Sequence, residues 1–248
     1  MAFAVRAITL DLDDTLWPFA PIGARIERLL DEWMRRHSPA TAAMFPVAAM
    51  RELRARVTAE HPALAHDMSA LRRLTLEAAL RESGGDLALA DAAYEAFFAD
   101  RNRVECYPDA IHALERISAR LPVASLTNGN ADLARIGLDR HFRAQVSACT
   151  FGAAKPDPAI FLAACEALGV PPGEVLHVGD HPEADVAGAA RAGLRSCWIN
   201  RPAADGRCAE WVHAEVAPDL HFDSLAGLAD WLDATLAAPA PRTRSSHT

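Results

Sequence analysis

Short apolar runs alternate along the chain with longer stretches of helical spacing. Val5 to Leu10 is mostly apolar and leads straight into Asp11, Asp13 and Asp14, the pattern of a buried strand with polar groups at its carboxyl end. Three similar runs come much later: Val123 to Leu126 before Thr127-Asn128-Gly129, Val175 to Val178 before Gly179-Asp180, and Leu194 to Ile199 before Asn200-Arg201-Pro202. Helical patterns fall at about 109–119, 131–138, 157–168 and 183–192, and a closing helix is expected over 223–236. Strands alternating with helices predict an α/β fold with a doubly wound parallel sheet. In such sheets ligands bind beyond the carboxyl ends of the strands, where these polar clusters fall.

Residues 21–104 break that rhythm. They show almost no strand-like alternation and are rich in Ala, Leu, Arg and Glu, which predicts helices near 22–36, 46–59, 68–82 and 87–103. Ser38-Pro39, His61-Pro62 and Gly84-Gly85 read as breaks between them. The expected organisation is a core of residues 1–20 and 105–236, interrupted by an all-helical cap over 21–104 with hinges near 17–21 and 104–108. Residues 237–248 read as a mobile tail, and there is no internal repeat.

Composition narrows the class. With 248 residues, 51% of them hydrophobic and 23% charged, the chain has an ordinary globular mix, which excludes wholesale disorder and fibrous repeats. A net charge of -8 repels polyanions and leaves no broad basic footprint for nucleic acid. No apolar stretch approaches the roughly 20 residues needed to span a bilayer, and charges at Arg6 and Asp11 argue against a signal peptide. Cys106, Cys149, Cys165, Cys197 and Cys208 form no C-x-x-C pair and no zinc spacing, so they read as buried thiols of a cytoplasmic protein. Of the 25 basic residues only Lys155 is a lysine, which points to a site that distinguishes a compact ammonium from a guanidinium fork. Chance drift is the other reading of a single residue.

Four clusters could carry chemistry. In Asp11-Leu12-Asp13-Asp14-Thr15, alternation puts Asp11 and Asp13 on one side of an extended chain. Acids crowded at the end of an apolar strand need a cation or strong donors, and a hard divalent ion such as Mg2+ meets that need. A solvated acidic turn or helix cap is the alternative. Thr127-Asn128-Gly129 offers a hydroxyl and backbone N–H groups to an anion, although Asn-Gly is also a common turn. Lys155 can approach a phosphoryl oxygen and a carboxylate together. In Gly179-Asp180-His181-Pro182-Glu183-Ala184-Asp185, Asp180 can join a metal site and Asp185 either joins it or orients Lys155, while His181 and Glu183 read as exposed loop residues.

In this order, each after a strand, the clusters resemble the four signature motifs of the haloacid dehalogenase superfamily, and the block at 21–104 lies where its subclass I members carry a C1 cap. The resemblance implies a Rossmannoid sheet and Mg2+-dependent phosphoryl transfer. It casts Asp11 as nucleophile, Asp13 as general acid and base, Thr127 with the amides of Asn128 and Gly129 as phosphate ligands, and Lys155 as counter-charge. Mg2+ would sit on Asp11, the Asp13 carbonyl and Asp180, with Asp185 as a further candidate.

The expected function is therefore a phosphatase for a small phosphorylated metabolite. A phosphomutase or phosphotransferase, a 2-haloacid dehalogenase and a non-catalytic phosphate-binding module are the alternatives. The family's dehalogenases lack the acid two residues after the nucleophile, which here is Asp13. The run Asp-Leu-Asp-Asp-Thr-Leu-Trp resembles flavin-pathway and nucleotide phosphatases, which implies a mononucleotide or a phosphorylated sugar alcohol. Trp17, Phe19, Arg25, Arg28 and Trp33 are candidates to touch the leaving group, with core packing the alternative for Trp33. No nucleic-acid or membrane partner is expected, and the chain reads as a monomer or homodimer.

Overall fold

The computed structural model describes residues 3–203 and 205–237; the expected tail falls, beyond Ala237, outside them. The chain begins with β1 (Ala7–Leu10) and runs into five helices: α1 (Phe19–His37), α2 (Pro39–Met44), α3 (Val47–Glu60), α4 (Met68–Glu82) and α5 (Ala90–Arg101). It continues through α6 (Ala110–Arg120), β2 (Val123–Thr127), α7 (Leu133–Ile136), β3 (Ala144–Ser147), α8 (Ala148–Phe151), α9 (Pro158–Leu168) and β4 (Val175–Gly179). A π-turn at Pro182–Ala187 precedes α10 (Gly188–Arg191), β5 (Arg195–Ile199), β6 (Leu220–Phe222) and α11 (Leu225–Ala237).

The six strands form one parallel sheet in the order β3-β2-β1-β4-β5-β6. Strand order reverses direction between β1 and β4, which opens a crevice at their carboxyl ends. Alternation along β1 sends Ala7 to one apolar layer, with Ile160 and Phe161 of α9, and Ile8 and Leu10 to the other, with Leu114 and Ile117 of α6 and Leu228 of α11. Burying each of these larger side chains contributes about 1.5–3 kcal/mol. The second layer does not stop at the sheet: Leu12, Leu16 and Trp17 continue it into Ile22, Ile26 and Leu30 of α1 and Phe97 of α5. The two crossings between the helical block and the sheet are tied together, since Tyr107 N donates to Leu16 O at 2.9 Å.

The structure departs from expectation in several places. Ser38-Pro39 does more than end α1, because Pro39 opens α2 at a position where its missing N–H is not needed. The strands β3 and β6 lie at the sheet edges and are only partly buried, so they lack the apolar signature of the four central strands. The helix expected over 131–138 shrinks to the single turn α7, closed by Gly137 at φ 85°. Only Cys165 and Cys197 are buried; Cys106 and Cys149 are half-buried and Cys208 is exposed in the loop after β5.

Candidate active site

Asp11 follows β1, where its N–H donates to Val178 O at 2.9 Å, so the strand pairing itself aims the carboxylate into the crevice. The next turn is tight. Leu16 N returns to Leu12 O, Asp14 N donates to Trp17 O, and Asp14 takes φ 60°, a left-handed conformation that aspartate tolerates better than most residues. That turn brings Asp13 back over the crevice. Its Oδ1 accepts from Trp17 Nε1 at 2.7 Å, and Arg101 Nη2 at the end of α5 donates to both carboxylate oxygens at 2.9 and 2.7 Å.

Lys155 is buried and donates to Asp11 Oδ1 at 2.5 Å and Asp185 Oδ1 at 2.6 Å. Its backbone is clamped on both sides by one side chain: Asn128 Nδ2 donates to Lys155 O at 2.8 Å and Lys155 N to Asn128 Oδ1 at 2.7 Å. The loop after β2 thus positions the lysine. Gly129 N donates to Thr127 Oγ1 at 2.9 Å, and a Cβ on Gly129 would collide with Asp13. A Cβ on Gly179 would likewise strike Asp185. Both glycines are required by the close approach of a carboxylate.

Asp185 uses both oxygens. Oδ1 takes Lys155 and His177 Nε2 (3.0 Å), and Oδ2 accepts from His181 N at 2.8 Å. His177 pairs in register with Thr9 across β1 and β4, and Thr9 Oγ1 lies 2.9 Å from His177 Nδ1. Burial pushes His177 down, keeping the ring neutral; the network is satisfied with Nε2–H toward Asp185 and Nδ1 accepting from Thr9. Burial disfavours the charge on Lys155 and on Asp185, but Asp11 and then Asp185 outweigh it on the lysine and raise the ammonium, while Lys155 and then His177 hold Asp185 well below the usual carboxylate range.

Asp11, Asp180 and Asp185 each offer an oxygen within 4.8 Å of one another. Burial, aided by the charges of Asp185 and Asp180, pushes Asp11 well up against the pull of Lys155. Burial followed by Asp185 and Asp14 pushes Asp180 up to about 7. One ammonium therefore leaves this oxygen-only cluster with excess negative charge, the condition that a hard divalent cation relieves. Asp185, already saturated by donors, acts foremost on Lys155. The Asp13 carboxylate is outside this group and held by Trp17 and Arg101, so only its carbonyl remains for a cation.

Asp11, Asp13, Thr127, Asn128, Gly129, Lys155, Asp180 and Asp185 line one cavity of about 620 Å3, which residues of α1, α3, α4 and α5 also bound. Phe19 lines it. Trp17 does not: it is fully buried beneath the turn and serves Asp13 instead. Arg25 staples α1 to the end of α5 through Asp100 Oδ2 at 2.9 Å, and Arg28 is exposed beside Glu32, both away from this cavity. Trp33 packs on the main apolar layer. His181 is exposed and lines the cavity, while Glu183 is half-buried and pairs with Arg191 at 2.6 Å. Sequence reasoning missed Arg101, Asn130 and His177. Asn130 Oδ1 accepts from Arg101 Nε at 3.2 Å. A histidine inside an apolar strand was the one available signal for His177; an arginine among so many carries none.

A family model described as haloacid dehalogenase-like hydrolase matches residues 5–193. The chain is 32% identical over 228 residues to the 5-amino-6-(5-phospho-D-ribitylamino)uracil phosphatase YigB of Escherichia coli, covering 90% of this chain and 94% of that enzyme. It is 36% identical over 222 residues to a phosphoserine phosphatase of Thermus thermophilus, covering 79% and 89%. Among solved structures, a 2-haloacid dehalogenase from Pseudomonas syringae superposes with a TM-score of 0.84 at 36% identity, covering 93% of this chain and 99% of that one. Among the described residues no helix is long and apolar enough to cross a membrane.

Proposed function

The chain belongs to the haloacid dehalogenase-like hydrolases, and from that membership we propose that it is a Mg2+-dependent phosphatase that hydrolyses a small phosphomonoester through an aspartyl-phosphate on Asp11. Residues 21–104 act in this reading as the cap over a core of 1–20 and 105–236.

The observation that carries the proposal is Asp13. Displacing a halide needs no proton donor, whereas a phosphoester leaves as an alkoxide that must be protonated. Here an acid stands two residues after Asp11, at the same cavity, with its orientation fixed by Trp17 and Arg101.

Lys155 occupies Asp11 Oδ1, which leaves Oδ2 as the attacking oxygen. Oδ2 attacks phosphorus, the bond to the leaving oxygen breaks, and Asp13 delivers its proton to that oxygen. Asp13 then takes a proton from water, whose oxygen attacks phosphorus as the bond to Asp11 breaks, giving inorganic phosphate. Thr127 and the amides of Asn128 and Gly129 hold the equatorial oxygens, for which Gly129 N–H must exchange its bond to Thr127. Lys155 offsets the repulsion between Asp11 and the incoming dianion. Asp11, Asp180 and the Asp13 carbonyl would hold Mg2+, which when bound supplies charge neutralisation at the phosphoryl oxygens.

The structural likeness to a protein named as a 2-haloacid dehalogenase favours a second reading, dehalogenation by the same Asp11. Release of phosphate from p-nitrophenyl phosphate and small phosphometabolites, run beside release of chloride from 2-chloropropionate, separates them. Phosphate release alone supports the phosphatase; chloride release without phosphate release replaces it with the dehalogenase.

A further inference from the structure

Two arginines in the roof of the cavity have no anion to hold. Arg54 of α3 and Arg72 of α4 both line the cavity that contains Asp11 and Lys155. Both are half-buried, and among the described residues neither is ion-paired nor donates a hydrogen bond. This is unusual in a chain whose other helical-block arginines are so often paired, as Arg25 is with Asp100, Arg56 with Glu82 and Arg73 with Asp91.

The nearby acid is already engaged. Glu27 of α1 lines the same cavity, but both of its oxygens accept from Arg51, with Nε 3.0 Å from each. The guanidinium carbon of Arg72 lies over the Phe97 ring, 4.5 Å from its centroid, a cation–π contact that uses none of its N–H donors. Burial, reinforced by the charge of Arg54, pulls Arg72 down to about 10, with Glu27 opposing only in part. The pair is under-compensated by the protein's own carboxylates.

The cavity is far larger than a phosphoryl group requires. At about 620 Å3 it has room for about twenty waters at ~30 Å3 each, and its walls between floor and roof include Ile26, Met68 and Leu71.

We propose that Arg54 and Arg72 form a second anion subsite, so that the substrate is a small phosphomonoester carrying a further carboxylate or phosphate that this pair grips while the phosphoryl group reacts below. The subsite rests on the phosphatase reading for the assignment of the first anion. A planar guanidinium fork matches either oxyanion bidentately, and in a protein of net charge -8 such a local device supplies attraction that the overall charge does not.

The test uses non-hydrolysable probes, so it does not depend on turnover. Binding of 3-phosphonopropionate and its longer homologues is measured calorimetrically, with Mg2+ present, against n-alkylphosphonates of the same length and against the matching bisphosphonates, for the native chain and for Arg54→Gln, Arg72→Gln and the charge-keeping Arg72→Lys. Melting temperatures check that each variant folds. At the best spacer length the native chain binds the doubly anionic probe about 10-fold or more tighter than its alkyl partner, and each Gln variant loses most of that preference. Arg72→Lys keeps more of it than Arg72→Gln. Whichever of the carboxylate and bisphosphonate series shows the larger preference names the second group. Equal binding of charged and alkyl probes at every length, or a preference that survives both Gln variants, overturns the subsite even if phosphate esters are hydrolysed. An arginine-dependent preference in a protein that hydrolyses no phosphomonoester keeps the subsite and overturns the phosphatase reading instead.

Discussion

In the proposed phosphatase reaction, Asp13 and Lys155 have surroundings that make separable demands. Asp13 is held by Trp17 and Arg101; Asp13→Asn can still accept from Trp17 through its amide oxygen but loses one acceptor for Arg101 and the oxygen that would carry the proton. With p-nitrophenyl phosphate, whose leaving group needs little protonation, the variant is expected to give a burst of p-nitrophenol close to one per protein and then turn over about 10²–10⁴-fold more slowly, as loss of general acid and base catalysis dictates. Rapid-quench measurement of the burst checks this, and unimpaired turnover removes the assignment. Lys155 donates to two carboxylates at 2.5 and 2.6 Å from a fully enclosed position. The planar fork of arginine does not reproduce a point charge between two acceptors, so Lys155→Arg is expected to cut kcat about 10-fold or more. Native-like kcat would make the lone lysine an accident of sequence. The site residues that sequence reasoning proposed, Asp11, Asp13, Thr127, Lys155 and Asp180, all lie at or just beyond a strand end or in a loop that local pattern marks. Arg101, Asn130 and His177 act through contacts between distant segments, and their types alone do not distinguish them from surface or core neighbours.

Among the elements, the four central strands were legible because both of their faces are buried and their sequences are almost wholly apolar. The edge strands β3 and β6 were not, since only one face of each needs to be apolar, and α2 was hidden behind a proline read as a stop. The packing of α11 shows how a polar residue secures an element without belonging to it. Asp109, ahead of α6, accepts from Leu225 N and Ala226 N at the start of α11 and pairs with Arg201 at 2.8 Å. Burial would raise its pKa, but Arg201 and these amides outweigh it and lower it. A lowered pKa in the folded state stabilises above the unfolded value of about 4 and is lost as pH falls through the folded value. Asp109→Asn is therefore expected to cost about 1–2 kcal/mol at neutral pH, with the gap to the native chain narrowing below about pH 4. Urea unfolding at several pH values checks this; a gap independent of pH would remove the ionic part of the explanation.

Across the whole molecule, one apolar layer runs from α6 and α11 through the sheet into α1 and α5, so helical block and sheet are expected to unfold together. Burial pushes the Cys165 thiol up to about 11 and Cys197 higher still, whereas Cys208 is exposed. In a thiol-labelling experiment near neutral pH, Cys208 should react at once and Cys165 and Cys197 only in step with global unfolding followed by circular dichroism; early labelling of Cys165 would show α9 opening from the sheet separately. The same architecture gathers the proposed phosphate ligands at one crevice in a protein of net charge -8, where the proposed reaction relies on local rather than overall charge. The most direct test of that crevice as a phosphatase site is phosphate release from p-nitrophenyl phosphate by the native chain and by Asp11→Asn, each with Mg2+ and with EDTA. Turnover by the native chain with Mg2+, abolished both by EDTA and by the substitution, is the expected result. Turnover that persists in Asp11→Asn, or is absent from the native chain with Mg2+, would contradict it.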